Sequence, residues 1–385
     1  MLRLVFCFGI ILFGIGASFV SPFNALLFYL WNAYFRPEDW SYFGVIGAMN
    51  LSWLIGIYLV GSTLMSRPTF PLNWRVGLML LFVFQSILGV VTSEHIAWSW
   101  NSWIVFSKVL LVAYLIVVLA TDRQRYRWLL LVIAFSLSFE AAKQGWAQLF
   151  VNPGGVNNNP ISFLGDNNGV ALGLMMIVPV LGALAQTAPT RTEAWIHRFV
   201  LVGVFMRAIT TYSRGGFLGA LILGLVGFFR SGKKARYVIA AGVLAVVVFT
   251  VMPDSFWDRI STITATDENR DESANGRLHF WGVGLRMAYA KPLTGVGFNG
   301  FTPSYESYNP DEEFGGERAV HSVWFGVLAD LGFPGLLLFV STWGGAMWTC
   351  WRVSAACKKD PERNDVRLYA NALLSSLTVF AVAGT

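Results

Sequence analysis

Charge is scarce in this sequence: of 385 residues only 13% are charged, against 55% hydrophobic and 15% aromatic. With so little polar surface a water-soluble fold has nowhere to place its apolar side chains, which excludes the soluble classes. Cysteine is almost as sparse. Cys7, Cys350 and Cys357 lie in or beside apolar segments with neither disulfide-framework nor metal-ligand spacing. No Gly-Lys-Ser/Thr phosphate loop, no His-Glu-x-x-His pair and no Gly-x-Ser-x-Gly elbow occurs, so ATPase, zinc-protease and serine-hydrolase chemistry lack their residues. DENRDESANGRL (267–278) begins like a calcium loop, but Glu272 stands where glycine is needed and Leu278 where glutamate is needed. The net charge of +6 sits in a few short loops between apolar runs, the pattern of membrane topology and not of nucleic-acid binding.

What is present is a succession of apolar runs. A crossing needs about 20 mostly apolar residues to span ~30 Å of hydrocarbon, and about 11 or 12 segments qualify or nearly so. They predict an all-α polytopic integral membrane protein, with spans near 2–19, 21–36, 42–63, 74–93, 101–120, 127–150, 166–187, 195–211, 215–230, 236–252, 320–347 and from 366 onward. The N-terminal run resembles a signal peptide, but no polar mature region follows, so it is read as a retained membrane segment. The closing run NALLSSLTVFAVAGT has no basic anchor, from which the chain is expected to be cut short.

Basic loops set the orientation. TDRQRYR (121–127), RSGKKAR (230–236) and 351–367 are expected on the cytoplasmic side, with TAPTRTEAWIHR (187–198) agreeing more weakly. The loops 151–168 and 253–319 then face outward, into the periplasm if the host is a bacterium. The expected organisation is a transmembrane bundle over 1–252, a periplasmic loop over 253–319 carrying an amphipathic surface helix, and transmembrane helices over 320–385, all in one membrane domain. Two full crossings before residue 42 would put Arg3 outside, against the basic-inside rule. One of the first two segments is therefore expected to be re-entrant or tilted.

Three features interrupt the apolar pattern. In RAITTYSRGG (207–216), Arg207, Thr210, Thr211 and Arg214 fall on one face of a continuous helix, and arginine inside a span or at its outer end marks function. In SANGRLHFWGVGLRMAYAKPLTGVGFNGF (273–301), apolar residues at helical spacing predict a helix ended by Pro292 and Gly295, with Arg277 one turn before Trp281. Its basic residues suit either a ligand or lipid headgroups. Lys143 with Glu140 reads as an ion pair or a ligand contact, and Asn168 in the Asn-rich loop as a cap or a polar-ligand contact.

His321 opens AVHSVWFGVLADLGFPGLLLF (319–339), whose helix starts on the outer side, with Arg214 and Arg277. Arginine forks bind phosphate oxygens bidentately and keep their charge, so two make a diphosphate clamp that needs no metal. A histidine beside such a clamp suits a general base.

These segments resemble the O-antigen ligase superfamily of lipopolysaccharide O-antigen ligases, O-antigen polymerases and protein O-oligosaccharyltransferases. The resemblance runs through FEAAKQGWAQLF to GDNNGVALGL, YSRGG, MPDSFWDRISTI, DESANGRLHFW to KPLTGVGF, and the 319–339 block, in that order; the wording is most similar to ligases associated with exosortase systems. It implies a periplasmic-face glycosyltransferase of the bacterial inner membrane. Such an enzyme moves a glycan en bloc from undecaprenyl diphosphate to an acceptor hydroxyl, on lipid A-core or on protein Ser/Thr, with no cofactor and no metal. By position, Arg214 and Arg277 would bind the diphosphate and His321 would be catalytic; Arg207, Lys143, Asn168 and Trp281 are further candidates for substrate contact. Ser322 stands where many relatives have asparagine. An O-antigen polymerase shares the donor and is the alternative. A non-catalytic lipid-glycan transporter would show inverted repeats, which the sequence lacks.

Overall fold

The computed structural model describes residues 2–40, 44–153, 155–161, 163–230, 272–309, 314–316 and 318–384, with isolated positions between 231 and 271. Its long helices are α1 (Leu2–Ser18), α2 (Pro22–Phe35), α3 (Leu51–Met65), α4 (Trp74–Val91), α5 (Ile96–Leu119), α6 (Arg123–Val151), α7 (Asn167–Gln186), α8 (Arg191–Ile209), α9 (Arg214–Arg230), α10 (Glu272–Ala290), α11 (Val323–Ala356) and α12 (Asn364–Ala383). No strand occurs among the described residues. The protein is an all-α polytopic membrane protein. Five segments, Trp74–Val91, Ile96–Leu119, Asn167–Gln186, Val323–Ala356 and Pro361–Ala383, are long and apolar enough to cross a bilayer, and Leu2–Ser18 and Leu51–Met65 are shorter apolar helices. Every predicted span has a helix except 236–252, which lies outside the described residues apart from isolated positions, as does MPDSFWDRISTI except Trp257.

The chain divides into two compact units. The first comprises 1–71, 114–251 and 351–380, and the second 72–113, 252–350 and 381–385.

In the first unit, α6, α7 and α8 pack together, and glycine decides how closely. A Cβ on Gly145 of α6 would strike the Gly203 carbonyl of α8, and one on Gly203 would come within 2.7 Å of the Ala142 carbonyl. The small-residue contact lets the two backbones approach. At the N-terminus, Arg3 lies over the Trp40 ring at 5.2 Å, and Trp40 Nε1 donates to Glu140 Oε2 at 3.1 Å. Arg125, at the start of α6, lies over Phe23 at 5.3 Å. Both α1 and α2 therefore run alongside the stretch of α6 from Arg125 to Glu140. Arg3 sits at the end opposite the basic 121–127 loop, where stacking on Trp40 shields its charge.

In the second unit, α11 is broken. Gly332 adopts φ 69° and Pro334 follows two residues later, so the backbone turns where glycine tolerates it and proline cannot continue the ladder. The break frees carbonyls in an apolar segment, and each must find a donor. Val296 N–H donates to the Ala329 carbonyl at 2.9 Å, Gly297 N–H to Asp330 at 3.1 Å, and Gln85 Nε2 of α4 to Leu331 at 3.0 Å. The exchange is mutual: Phe333 N–H donates to the Pro292 carbonyl at 2.9 Å, Gln85 Nε2 to Leu293 at 2.7 Å, and the Asp330 carboxylate accepts from Phe301 N–H at 2.9 Å. The segment PLTGVGFNGF is thus fastened to the break. Gly295, at φ 63°, is required twice over, because a Cβ there would strike the Ala329 carbonyl.

The α4–α5 turn holds the same segment from another side. Trp98 Nε1 donates to the Asn299 carbonyl at 2.8 Å, Asn299 Nδ2 to Ser102 at 3.0 Å, and Lys291 Nζ to Glu94 at 2.6 Å. The hydrogen bond and the charge of Lys291 hold the Glu94 carboxyl below its usual range. The stability from this pair is therefore present above the ordinary glutamate pKa and is lost as pH falls through the lowered one. Because Glu94 is half-exposed, the contribution is small.

Gln85→Leu removes the donor to two carbonyls at the break. Each buried acceptor left without a partner costs about 1–3 kcal/mol, so the variant is expected to unfold at a clearly lower temperature in detergent, followed by circular dichroism. An unchanged transition would show that the break does not depend on Gln85.

Candidate active site

The helix predicted from the 273–301 stretch forms as α10. Its apolar face is covered by protein: Phe280, Val283 and Met287 are buried with Val296, Phe301, Tyr305 and Ala329 in one cluster. Because the following segment is pinned to α11, this face meets side chains where a surface helix would meet lipid. Burial raises the Tyr305 phenol above its usual range, keeping it neutral. His279 reaches Asn309 Oδ1 at 2.9 Å, and Arg286 Nε donates to the Tyr308 carbonyl at 3.1 Å, tying the 301–308 turns to α10.

The same unit brings the start of α11 to this cluster. The His321 ring lies 6.4 Å from Phe280, and Trp281 stacks on Phe325 at 5.0 Å with 9° between the planes. Trp281, a candidate for substrate contact, joins α10 to α11 through this stack, and its indole N–H is buried without a partner among the described residues. Arg277, one turn before Phe280 and Trp281, is half-buried on α10.

His321 is exposed and left-handed, with φ 50°. A non-glycine residue in this region is uncommon, and such strain concentrates at functional positions. The local cause is the helix start. Ser322 is buried, its Oγ accepts from Phe325 N–H at 3.5 Å, and its carbonyl takes Gly326 N–H at 2.8 Å. Serine and asparagine serve equally well as N-caps, so serine here preserves the turn that projects the histidine. The start of α11 is also held by Val323 N–H on the Gly384 carbonyl at 2.9 Å and Trp324 Nε1 on Ala381 at 3.1 Å.

In the first unit, the predicted continuous face from Arg207 to Arg214 does not form. Helix α8 ends at Ile209, Tyr212 turns left-handed at φ 50°, and α9 begins at Arg214. The threonines favour the break by bonding the backbone locally: Thr211 Oγ1 donates to the Ala208 carbonyl at 2.7 Å and accepts from Ser213 N–H at 3.1 Å, and Thr210 Oγ1 donates to the Arg207 carbonyl at 3.1 Å. Arg214 is half-buried in the first turn of α9.

Arg207, at 0% exposure, is instead the centre of a buried polar chain. Its Nε donates to Gln144 Oε1 at 2.8 Å and its Nη2 to the Asn159 carbonyl at 2.6 Å, while Nη1 has no partner. Gln144 continues to Glu140 Oε1 at 3.1 Å, where Lys143 pairs with Oε2 at 2.6 Å. The Asn-rich loop is held at both ends: Asn157 N–H donates to the Thr210 carbonyl at 2.8 Å, and Ser213 Oγ to Asn168 Oδ1 at 2.7 Å. Asp166 caps α7 by accepting from Gly169 N–H at 2.8 Å. Gln85, Asp330 and Gln144 were not singled out from the sequence. Their signal was present, since a polar side chain inside an apolar run is expensive and implies a partner. Among the described residues no cluster of three His, Cys, Asp or Glu side chains is arranged around a metal position.

The chain is thus a polytopic helical membrane protein with an exposed histidine at the start of α11 and an arginine at the start of α9. Residues 199–340 match the model of the O-antigen ligase family, and residues 1–185 match a family of unknown function (DUF5935). The match over 199–340 supports the O-antigen ligase superfamily for that segment. The match supports activity of the O-antigen ligase or polymerase type, which in general implies a lipid-linked glycan donor and a membrane acceptor. A comparison with curated proteins gives no match.

Arg207→Met strands the Gln144 and Asn159 oxygens, each at a cost of about 1–3 kcal/mol. Its expected effect is a lower unfolding temperature, with Arg207→Lys intermediate. A variant that unfolds like the wild type would remove Arg207 from the packing of this unit.

Proposed function

We propose that the protein is an O-antigen ligase-type glycosyltransferase of the bacterial inner membrane. It moves a glycan en bloc from undecaprenyl diphosphate to an acceptor hydroxyl on the periplasmic face. The observation that carries this reading is the family match over 199–340, which contains Arg214, Arg277 and His321. It is supported by the exposure of His321 at a capped helix start.

In this mechanism the acceptor oxygen attacks the anomeric carbon, the bond from that carbon to the diphosphate oxygen breaks, and undecaprenyl diphosphate leaves. Direct displacement inverts the anomeric centre. His321 takes the hydroxyl proton, a contribution of roughly 10²- to 10⁴-fold. Arg214 and Arg277 offset the charge growing on the diphosphate, and guanidinium forks suit its oxygens. Arg207, buried as it is, acts on this chemistry through the loop that it holds, and Lys143 and Asn168 lie on the same polar chain and loop. The diphosphate is a good leaving group, so the scheme uses neither nucleotide nor metal. Residues 1–252 and 320–385 supply the membrane bundle, and 253–319 shapes the sugar and acceptor side.

Lipid A-core is the acceptor that the breadth of the family favours, with protein Ser/Thr second. The test is transfer from an undecaprenyl-diphosphate glycan to purified lipid A-core, in detergent without added metal. His321→Ala is expected to lose at least about 100-fold, and a chelator to change nothing. Undiminished transfer by the variant would leave His321 a structural residue. Transfer only when protein is supplied would move the acceptor to protein. Extension of one lipid-linked glycan by another would make the enzyme a polymerase.

A further inference from the structure

The first unit contains a feature that glycan transfer does not use. A groove runs along α6 between α1 and α2, formed by two adjoining cavities of about 580 and 370 Å³ that share Trp31, Trp128 and Val132. It extends from Arg125 to Phe139, about 21 Å of helix axis. Between Trp128 and Phe139 the lining is apolar except for Ser136. Water has too few partners there, so the occupant of that stretch is hydrocarbon. One acyl chain reaches about 15 Å into a leaflet, and the groove accommodates it.

The chain alone gives no selectivity, because bilayer hydrocarbon is as apolar as the groove. Selectivity comes from the polar mouth, where Asp122, Gln124 and Arg125 line the larger cavity. Arg125 is fixed in place: Nε pairs with Asp122 at 3.2 Å, Nη1 donates to the Leu119 carbonyl at 3.0 Å, and the guanidinium lies over Phe23. These contacts leave Nη2, on a side chain 41% exposed, for a ligand oxygen. Its neighbours Arg123 and Arg127 are engaged with Asp365 and Glu193, so Arg125 is the cation that the mouth presents. Basic pockets between membrane helices recognise anionic headgroups.

We propose that this groove binds a glycerophospholipid with an anionic headgroup, its phosphate at Arg125 and one acyl chain laid along Trp31, Trp128 and Val132. The site lies wholly within residues 1–185 and is independent of the transfer reaction.

The test is native mass spectrometry of the full-length protein in detergent, titrated with phosphatidylglycerol or with phosphatidylcholine of identical chains. Phosphatidylglycerol is expected to be retained about fivefold better, the effect of one arginine at a headgroup. Arg125→Gln should abolish the preference, Arg125→Lys keep it, and Val132→Phe weaken retention of both lipids by filling the groove. Should Arg125→Gln fail to fold, Gln124→Glu at the same mouth should reverse the preference. Arg352→Gln, in the last turns of α11, should behave as wild type. Equal retention of the two lipids overturns the proposal, as does a preference that survives Arg125→Gln. So does co-purification of a polyprenyl lipid or a polypeptide occupying the groove.

Discussion

A helix interrupted inside a membrane protein must hand its freed backbone groups to some other part of the chain, and the second unit is organised around that requirement. Gly332 and Pro334 interrupt α11, and the carbonyls of Ala329, Asp330 and Leu331 take donors from the 292–301 segment and from Gln85. No solvent is available to take them instead. The segment is therefore pinned, and α10, joined to it through Lys291, is pinned with it. Phe280 and Trp281 then meet His321 and Phe325 at the start of α11. An obligation of the backbone in the apolar layer is converted in this way into a fixed position for a histidine outside it.

The first unit answers a similar obligation with side chains. Close approach of α6 and α8 at Gly145 and Gly203 leaves Arg207 with no water, and Gln144 and the Asn159 carbonyl replace its hydration. Among the described residues the guanidinium pairs with no carboxylate; Glu140 is reached through Gln144 and is shared with Lys143 and Trp40. A buried charge arranged in this manner fixes the Asn-rich loop at Asn159, while Thr210 and Ser213 hold it at Asn157 and Asn168. The loop's many polar side chains thus serve order within the unit as well as exposure to solvent.

The groove along α6 follows a different rule. What distinguishes it is an apolar surface with a charged mouth. Its lining lies in the part of the chain that matches a family of unknown function, apart from the segment that matches the O-antigen ligases.

The sequence by itself determined the helices and the class of protein, because length and hydropathy of each run are local properties and the bilayer imposes a fixed thickness on them. It also singled out Arg214, Arg277 and His321, since charge near an apolar run is costly enough to stand out. Tertiary structure decided the rest. The Arg207 to Arg214 stretch has helical spacing, yet the hydroxyl of Thr211 and the left-handed Tyr212 break it, and spacing cannot register that competition. The apolar face of α10 reads equally as lipid-facing or protein-facing; which one it is depends on a loop fastened to a helix break some 30 residues further along. Arg3 reads as misplaced until Trp40 is seen beneath it. In each case the deciding partner is distant in sequence, and a pattern read along the chain carries no information about what lies across from it.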